Sequence, residues 1–170
     1  MQTSPNTHWI CPKIGSDGAI AAAILRTLVE SDGFNRSYLS RPSLESAKRF
    51  GELSYTNSSY LIDLESGKFA RQNGKYLVAD KNGNIVPFDT LDQADIEFKG
   101  ELNGKALATS FSLLRDSVFS QSMAEYSEQS GVEVEKLEWL AKGIAKAGRK
   151  SAVEFYRALL SIQTAITPAF

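Results

Sequence analysis

The residues best placed to do chemistry sit at one corner of the sequence, Gly15-Ser16-Asp17, where the proline-bearing lead "WICPKI" gives way to the apolar run "GAIAAAILRTLVE". A helix N-terminus carries unpaired amides and about half a positive charge, so it attracts anions, phosphates included. A carboxylate at such a corner has two readings. In one, Ser16 and Asp17 cap the helix and complement its dipole. In the other, Asp17 points outward and accepts paired N–H groups from a ligand, as carboxylates do with the edge of guanine. Spacing alone leaves both open.

The remaining candidates read more plainly. His8 is the only histidine and Cys11 the only cysteine. His8, beside Trp9, reads as a surface or packing residue. Cys11 reads as a small buried residue, with no metal role. One cysteine allows no internal disulfide and no multi-thiolate cluster or zinc site built from this chain. Arg115, Asp116, Glu154 and Arg157 read as surface or inter-element pairs, and Trp139 and Tyr156, in apolar runs, as core. No nucleophile and base fall into a catalytic constellation.

These residues must be positioned by elements that the pattern makes visible. Ile20, Ile24 and Leu28 recur at i, i+4, i+8, widened by Leu25 and Val29, and Asp32-Gly33 closes this first helix. A short helix is expected over Ser43 to Phe50, ahead of Gly51. From Tyr60 the period changes. "YLIDLESGKFA", "KYLVADKNGNIVPF" and "ADIEFKGELNGKALATSF" are apolar runs split at Ser66-Gly67, Asn82-Gly83 and Asn103-Gly104, pairs that supply the positive φ angles of tight turns. Helical spacing returns at Phe111, Leu114 and Val118. It returns again in "VEVEKLEWLAKGIAKAG", where Leu137, Leu140, Ala141 and Ile144 share a face, Glu133 and Glu135 suit the N-terminal end and Gly148 is a stop. "SAVEFYRALLS" reads as a buried strand. The fold class is therefore mixed α/β, helices with an inserted set of β-hairpins.

The 170 residues include 42% hydrophobic and 23% charged residues, enough to bury one core. With 19 basic and 20 acidic side chains the formal charge is −1, which gives no electrostatic reason to expect nucleic acid or direct membrane contact. "MQTSPNTHW" lacks the basic and apolar regions of a signal peptide, so the chain as written is expected to remain cytoplasmic.

The wider string around the corner resembles a known pattern. Trp9, a short proline-bearing stretch, then Gly-Ser-Asp-Gly-Ala opening an apolar helix is similar to "W-x-P-I-x-P-G-T-D-x-A" of the dimethyl sulfoxide reductase superfamily of molybdopterin oxidoreductases. "RSYLSRPS", "GELSYTNSSYLIDLESGKF", "YLVADKNGNIVPFD", "ALATSFSLLRDSV", "LEWLAKGIAKAG" and "SAVEFYR" follow in the order of the catalytic subunit of the tetrathionate reductase branch, or of close polysulfide or arsenate relatives. Cys11-Pro12 and Ile14 stand where the family carries Pro-Ile and a proline just ahead of the glycine.

The resemblance implies a fragment of the large subunit, residues 1–157, that forms part of an α/β domain cradling a molybdopterin guanine dinucleotide. Asp17 would bind the guanine, and Gly15 and Ser16 would let the backbone approach the nucleotide. The family's molybdenum and iron–sulfur ligands lie in an upstream part that this chain lacks, so the fragment is expected to be inactive alone. The parent enzyme would serve anaerobic respiration in the periplasm, and its partners would be the electron-transfer subunits and the rest of the large subunit. After "SAVEFYR" the family continues much like "GPxQHTNGYY", whereas this chain ends "ALLSIQTAITPAF". Codons can be chosen so that one string is the other read in a shifted frame, so residues 158–170 are expected to be a divergent, frameshifted tail. Apolar faces without their partners would then favour self-association. The alternative is a stand-alone α/β module that binds a guanine nucleotide or a partner chain without redox activity.

Overall fold

The computed structural model describes residues 8–152 and divides them into two compact units, one built from residues 8–33 and 121–152, the other from Phe34–Ser120. Helices and antiparallel sheets share the chain, so the mixed α/β class read from sequence holds.

The first unit is helical. Helix α1 spans Asp17–Glu30. Asp32, at φ 50°, turns the chain out of it, and the Gly33 amide reaches back to the Leu28 carbonyl at 2.8 Å. This six-to-one closure satisfies a carbonyl that the helix end would otherwise orphan. Helix α5 spans Met123–Ser130 and helix α6 Val134–Ala147, and both pack on α1. Ala23, Tyr126, Val132 and Leu137 form the buried centre, with Ile20 and Met123 at its margin. The face of α1 that is buried runs through Ala23 and Thr27 rather than through the larger Ile24 and Leu28, which are half-buried. Small residues on the inner face let neighbouring backbones approach closely. A Cβ on Gly33 would lie 3.1 Å from that of Ala145. The Thr27 hydroxyl is satisfied within the helix, donating to the Ala23 carbonyl at 3.0 Å.

The second unit carries the hairpins. Two short helices, α2 (Arg36–Leu39) and α3 (Leu44–Arg49), lead into strands β1 (Leu61–Asp63), β2 (Lys68–Phe69), β3 (Arg71–Gln72), β4 (Lys75–Ala79), β5 (Ile85–Pro87), β6 (Lys99–Leu102) and β7 (Lys105–Thr109), and then into α4 (Ser110–Phe119). Ser43 caps α3 as its sequence implies, accepting the Ser46 amide at 3.1 Å. One sheet has the order β2-β1-β7-β6 and the other β3-β4-β5. All three expected hairpins form, with Leu102 opposite Lys105 across Asn103-Gly104, where both turn residues have positive φ. A fourth, β3–β4, turns at Asn73-Gly74.

Two clusters pack this unit. Leu61, Leu77 and Leu107 are buried together, each worth roughly 1.5–3 kcal/mol of transfer free energy. Tyr60, Val78 and Ala94 form the other, in which the rings of Tyr76, Phe88 and Phe69 lie 5.0, 5.8 and 6.0 Å from that of Tyr60. The Tyr60 hydroxyl donates to the Pro42 carbonyl at 2.9 Å, and burial pushes its pKa up.

Several expectations are corrected. Among the described residues no strand pairs with the lead at residues 8–13 as a ladder, and Cys11 on it is exposed rather than buried. Trp139 is half-exposed. It sits two residues beyond Leu137, about 200° around the helix, outside the stripe that Leu137 and Ala141 bury. Leu114 is likewise exposed on α4, whose buried face is Phe111, Ser112 and Val118. The expected strand "SAVEFYRALLS" from its third residue on, Glu154, Tyr156 and Arg157, and the boundary before the 158–170 tail lie outside the described residues. Among the described residues no helix is long and apolar enough to cross a membrane.

Candidate functional site

The corner at the start of α1 is held from below by a single lysine. The Lys13 amide donates to the Ser130 carbonyl at the end of α5, 2.8 Å away, and Lys13 Nζ donates to the Glu128 carbonyl at 2.6 Å. Its aliphatic stem covers Gly131, where a Cβ would come within 3.1 Å of Lys13 Cγ. Gly131 ends α5 in the left-handed conformation, so a side chain there would be strained in backbone as well as crowded.

From this anchor the chain turns through Ile14 and Gly15. The Ser16 amide donates back to the Lys13 carbonyl at 3.2 Å, and Gly15 has φ +79°, a value that costs an ordinary L-residue about 1–2 kcal/mol. The buried Ser16 hydroxyl donates to the same Lys13 carbonyl at 2.7 Å. Here the cap expectation is corrected. Ser16 holds the N-cap position, but its side chain makes no hydrogen bond to a helix amide, because the hydroxyl is committed to closing the turn beneath. The Ser16 carbonyl instead accepts the amides of Ala19 and Ile20, at 3.0 and 3.2 Å.

The outer side of the corner stays open. Asp17 is exposed, and its carboxylate has no hydrogen-bond or ion-pair partner among the described residues. No protein acceptor among the described residues meets the amides of Asp17 or Gly18. Among the described residues, no atom beyond the adjoining chain lies within 4 Å of where a Cβ would stand on Gly15 or Gly18. Among the described residues, the corner therefore presents unmet N–H donors at the positive end of a helix, an approachable backbone, and a carboxylate that can accept two parallel N–H bonds. This arrangement is suited to recognition. It holds no acid–base pair.

The other candidates are not brought to this corner as a constellation. The rings of His8 and Trp139 meet at 4.5 Å, so the histidine is a packing residue as its isolation implies. Arg115 pairs with Glu97 at 3.2 Å and Asp116 with Lys99 at 2.6 Å, both exposed pairs worth about 0–1 kcal/mol. Among the described residues no group of His, Cys, Asp and Glu could hold a metal ion. Sequence reasoning missed Lys13 as the residue that fixes the corner. Its partners lie 115 residues and more downstream, beyond any local pattern.

No protein-family model matches the chain. Curated proteins do. It is 28% identical over 165 residues to the A subunit of selenate reductase from Mesobacillus selenatarsenatis, an alignment covering 88% of this chain and 16% of that protein. It is 29% identical over 153 residues to the A subunit of tetrathionate reductase from Archaeoglobus fulgidus, covering 84% of this chain and 14% of the relative. For the corresponding tetrathionate reductase polypeptide of Salmonella typhimurium the identity is 26% over 168 residues, covering 88% and 16%. The chain thus spans about one sixth of the length of these relatives. Over most of its own length it is similar to a segment of the A subunits of selenate and tetrathionate reductases, which bears out the resemblance to tetrathionate-reductase-type molybdopterin oxidoreductases carried by its motifs.

Proposed function

We propose that this chain is a fragment of the catalytic subunit of a molybdopterin-dependent reductase of oxyanions, and that its corner at Gly15, Ser16 and Asp17 forms part of a site for a molybdopterin guanine dinucleotide. The similarity to selenate and tetrathionate reductases supports the first half of this reading. The single observation that carries the site is the exposed Asp17 carboxylate, unpartnered among the described residues, beside amides that no described residue accepts, on a corner fixed by Lys13.

The residues fit such a group. Gly15 and Gly18 leave the backbone open to a nucleotide. The amides of Asp17 and Gly18 donate to phosphate oxygens at the helix N-terminus. The Asp17 carboxylate accepts the N1–H and N2–H₂ edge of guanine, a charge-assisted bidentate contact that the adenine edge does not offer. Lys13 acts through the backbone, pinning the turn so that this carboxylate is oriented before the ligand arrives, which reduces the ordering cost of binding. When bound, the pterin-held molybdenum supplies the two-electron chemistry of the parent enzyme. This chain's own part is to hold the distal, nucleotide end.

A segment of one sixth of the relatives' length does not turn over alone on this reading. Its partners are the electron-transfer subunits and the remainder of the large subunit, and the parent faces the periplasm. Residues 158–170 are a frameshifted tail. The rival reading, in which Asp17 serves only the helix dipole, draws on its place in the first turn. The two part on one experiment. Titration of the chain with GMP and with AMP should show guanine-selective binding that Asp17→Ala weakens by about tenfold or more, the loss of charge-assisted hydrogen bonds. Equal binding of both nucleotides, or guanine binding untouched by the substitution, would leave only the dipole.

A further inference from the structure

Beneath the corner at Asp17, the positive end of α1 is tied to the negative end of α5. Helix α5 ends at Ser130, and its last carbonyls are acceptors that the helix itself leaves unmet. Lys13 takes two of them. Its amide donates to the Ser130 carbonyl at 2.8 Å and its Nζ to the Glu128 carbonyl at 2.6 Å, which sets a cation at that helix end. The Lys13 carbonyl accepts in turn the Ser16 amide and the Ser16 hydroxyl, at 3.2 and 2.7 Å. Lys13 to Ser16 is thus a β-turn with Gly15 in third place, at the positive φ that a type II turn requires there. Every polar group of Lys13 is engaged, and together they tie the end of α5 to the residue before Asp17.

Gly131 decides whether this tie can form. It lies at φ +69°, with its amide on the Ser127 carbonyl at 2.8 Å. A Cβ there would stand 3.1, 3.5 and 3.3 Å from Lys13 Cγ, Cδ and Cε, so the lysine stem runs across the glycine. The first and last of these are closer than the roughly 3.5–4.0 Å at which carbon atoms rest. A lysine with a loose head would swing aside. This one is held at both ends, by the Ser130 and Glu128 carbonyls, so yielding to a Cβ costs one of the two bonds. The ground beneath is fixed as well, because Val132, next in the chain, is buried with Ala23 of α1 and Tyr126 of α5.

We infer that Gly131 is a positioning residue for guanine binding, an inference that rests on the reading of Asp17 given above. By carrying no side chain it seats the Lys13 stem, and Lys13 sets the turn that aims the Asp17 carboxylate. Gly131 touches no ligand itself. Its effect on binding passes through Lys13, so substitutions at the two positions are coupled and do not add.

Asparagine tolerates the left-handed conformation, so Gly131→Asn adds a Cβ with little backbone strain. In titrations of the full chain with GMP and AMP, Gly131→Asn should weaken GMP binding about tenfold, but less than about twofold when Lys13→Ala has already removed the stem it strikes. Hydrogen exchange at the Lys13 amide should quicken in Gly131→Asn while the amides of α5 and α6 keep their protection, which separates a displaced turn from a helix that has come apart. Lys13→Ala alone, which leaves the helix end untouched, should weaken GMP binding several-fold. Unchanged binding in Lys13→Ala would overturn the inference even where Gly131→Asn fails to fold. A GMP preference that Asp17→Ala abolishes and Gly131→Asn leaves intact would overturn this inference alone. Equal losses from Gly131→Asn with and without the Lys13 stem would make the glycine a requirement of the helix end only, and would overturn it too. A wild-type chain with no preference for GMP would overturn the reading of Asp17, and this inference with it.

Discussion

Asp17 and Asp63 are aspartates at element boundaries that the chain treats in opposite ways. Asp17 opens a helix with its carboxylate free among the described residues, whereas Asp63 closes β1 with its carboxylate buried and filled by a lysine and two amides. A hydrogen bond from Lys105 holds the Asp63 pKa below the ordinary carboxylate value, against burial that opposes it, and the Glu65 and Ser66 amides assist. A group whose folded pKa is depressed stabilises the fold above its unfolded pKa and loses that contribution as pH falls through the folded value. Acidification below about pH 4 should therefore destabilise the wild type more steeply than Asp63→Asn, and Asp63→Asn should melt lower at neutral pH. Thermal melts across pH 2–7, roughly the range over which carboxylates and histidine titrate, check this. Parallel acid limbs would deny Asp63 that role.

At the scale of elements, what could be read in advance follows from how local each signal is. Asn-Gly and Ser-Gly pairs dictate their own backbone angles, so the three hairpins were legible from a few residues. Asn73-Gly74 carries the same signal but marks no hairpin in the sequence pattern, because β2 and β3 are two residues each and leave no run to alternate. Helix α5 is not among the elements expected from the sequence. Ser122 and Glu125 form a reciprocal capping box and Gly131 supplies the left-handed stop, but the polar face of "MAEYSEQS" hides the period. Which face of a helix is buried was less legible, since it depends on neighbours remote in sequence. Small Ala23 and Thr27 lie inside α1, and Trp139 lies outside α6. Leu137→Ala should therefore cost about 2–5 kcal/mol in a denaturant melt, as truncation of a fully buried leucine does. Trp139→Ala should cost far less. Reversal of that order would show that the sequence stripe, and not the observed face, packs the unit.

On the scale of the whole molecule, the apolar surface bears on the fragment reading. Trp9, Ile14, Phe50 and Leu53 are all exposed, Trp9 at 83% and Leu53 at 95%. On the proposed fragment reading, the rest of a larger polypeptide would cover these faces. Sedimentation of the purified chain should accordingly show concentration-dependent self-association at micromolar levels, with binding of a hydrophobic dye. A dye-silent monomer would mean that these faces need no cover. The similarity to tetrathionate reductases could be read from ordered motifs, while the Asp17 carboxylate, unpartnered among the described residues, and the Lys13 anchor became visible only in three dimensions.

The most direct test of the fragment assignment is to sequence the source DNA on both sides of the coding segment and read all frames. The account predicts an upstream frame that encodes the cysteine cluster of a reductase catalytic subunit, with a shifted downstream frame that continues the "GPxQHTNGYY" loop after Arg157. Flanking DNA that encodes neither, with the tail codons in no register with that loop, would contradict it.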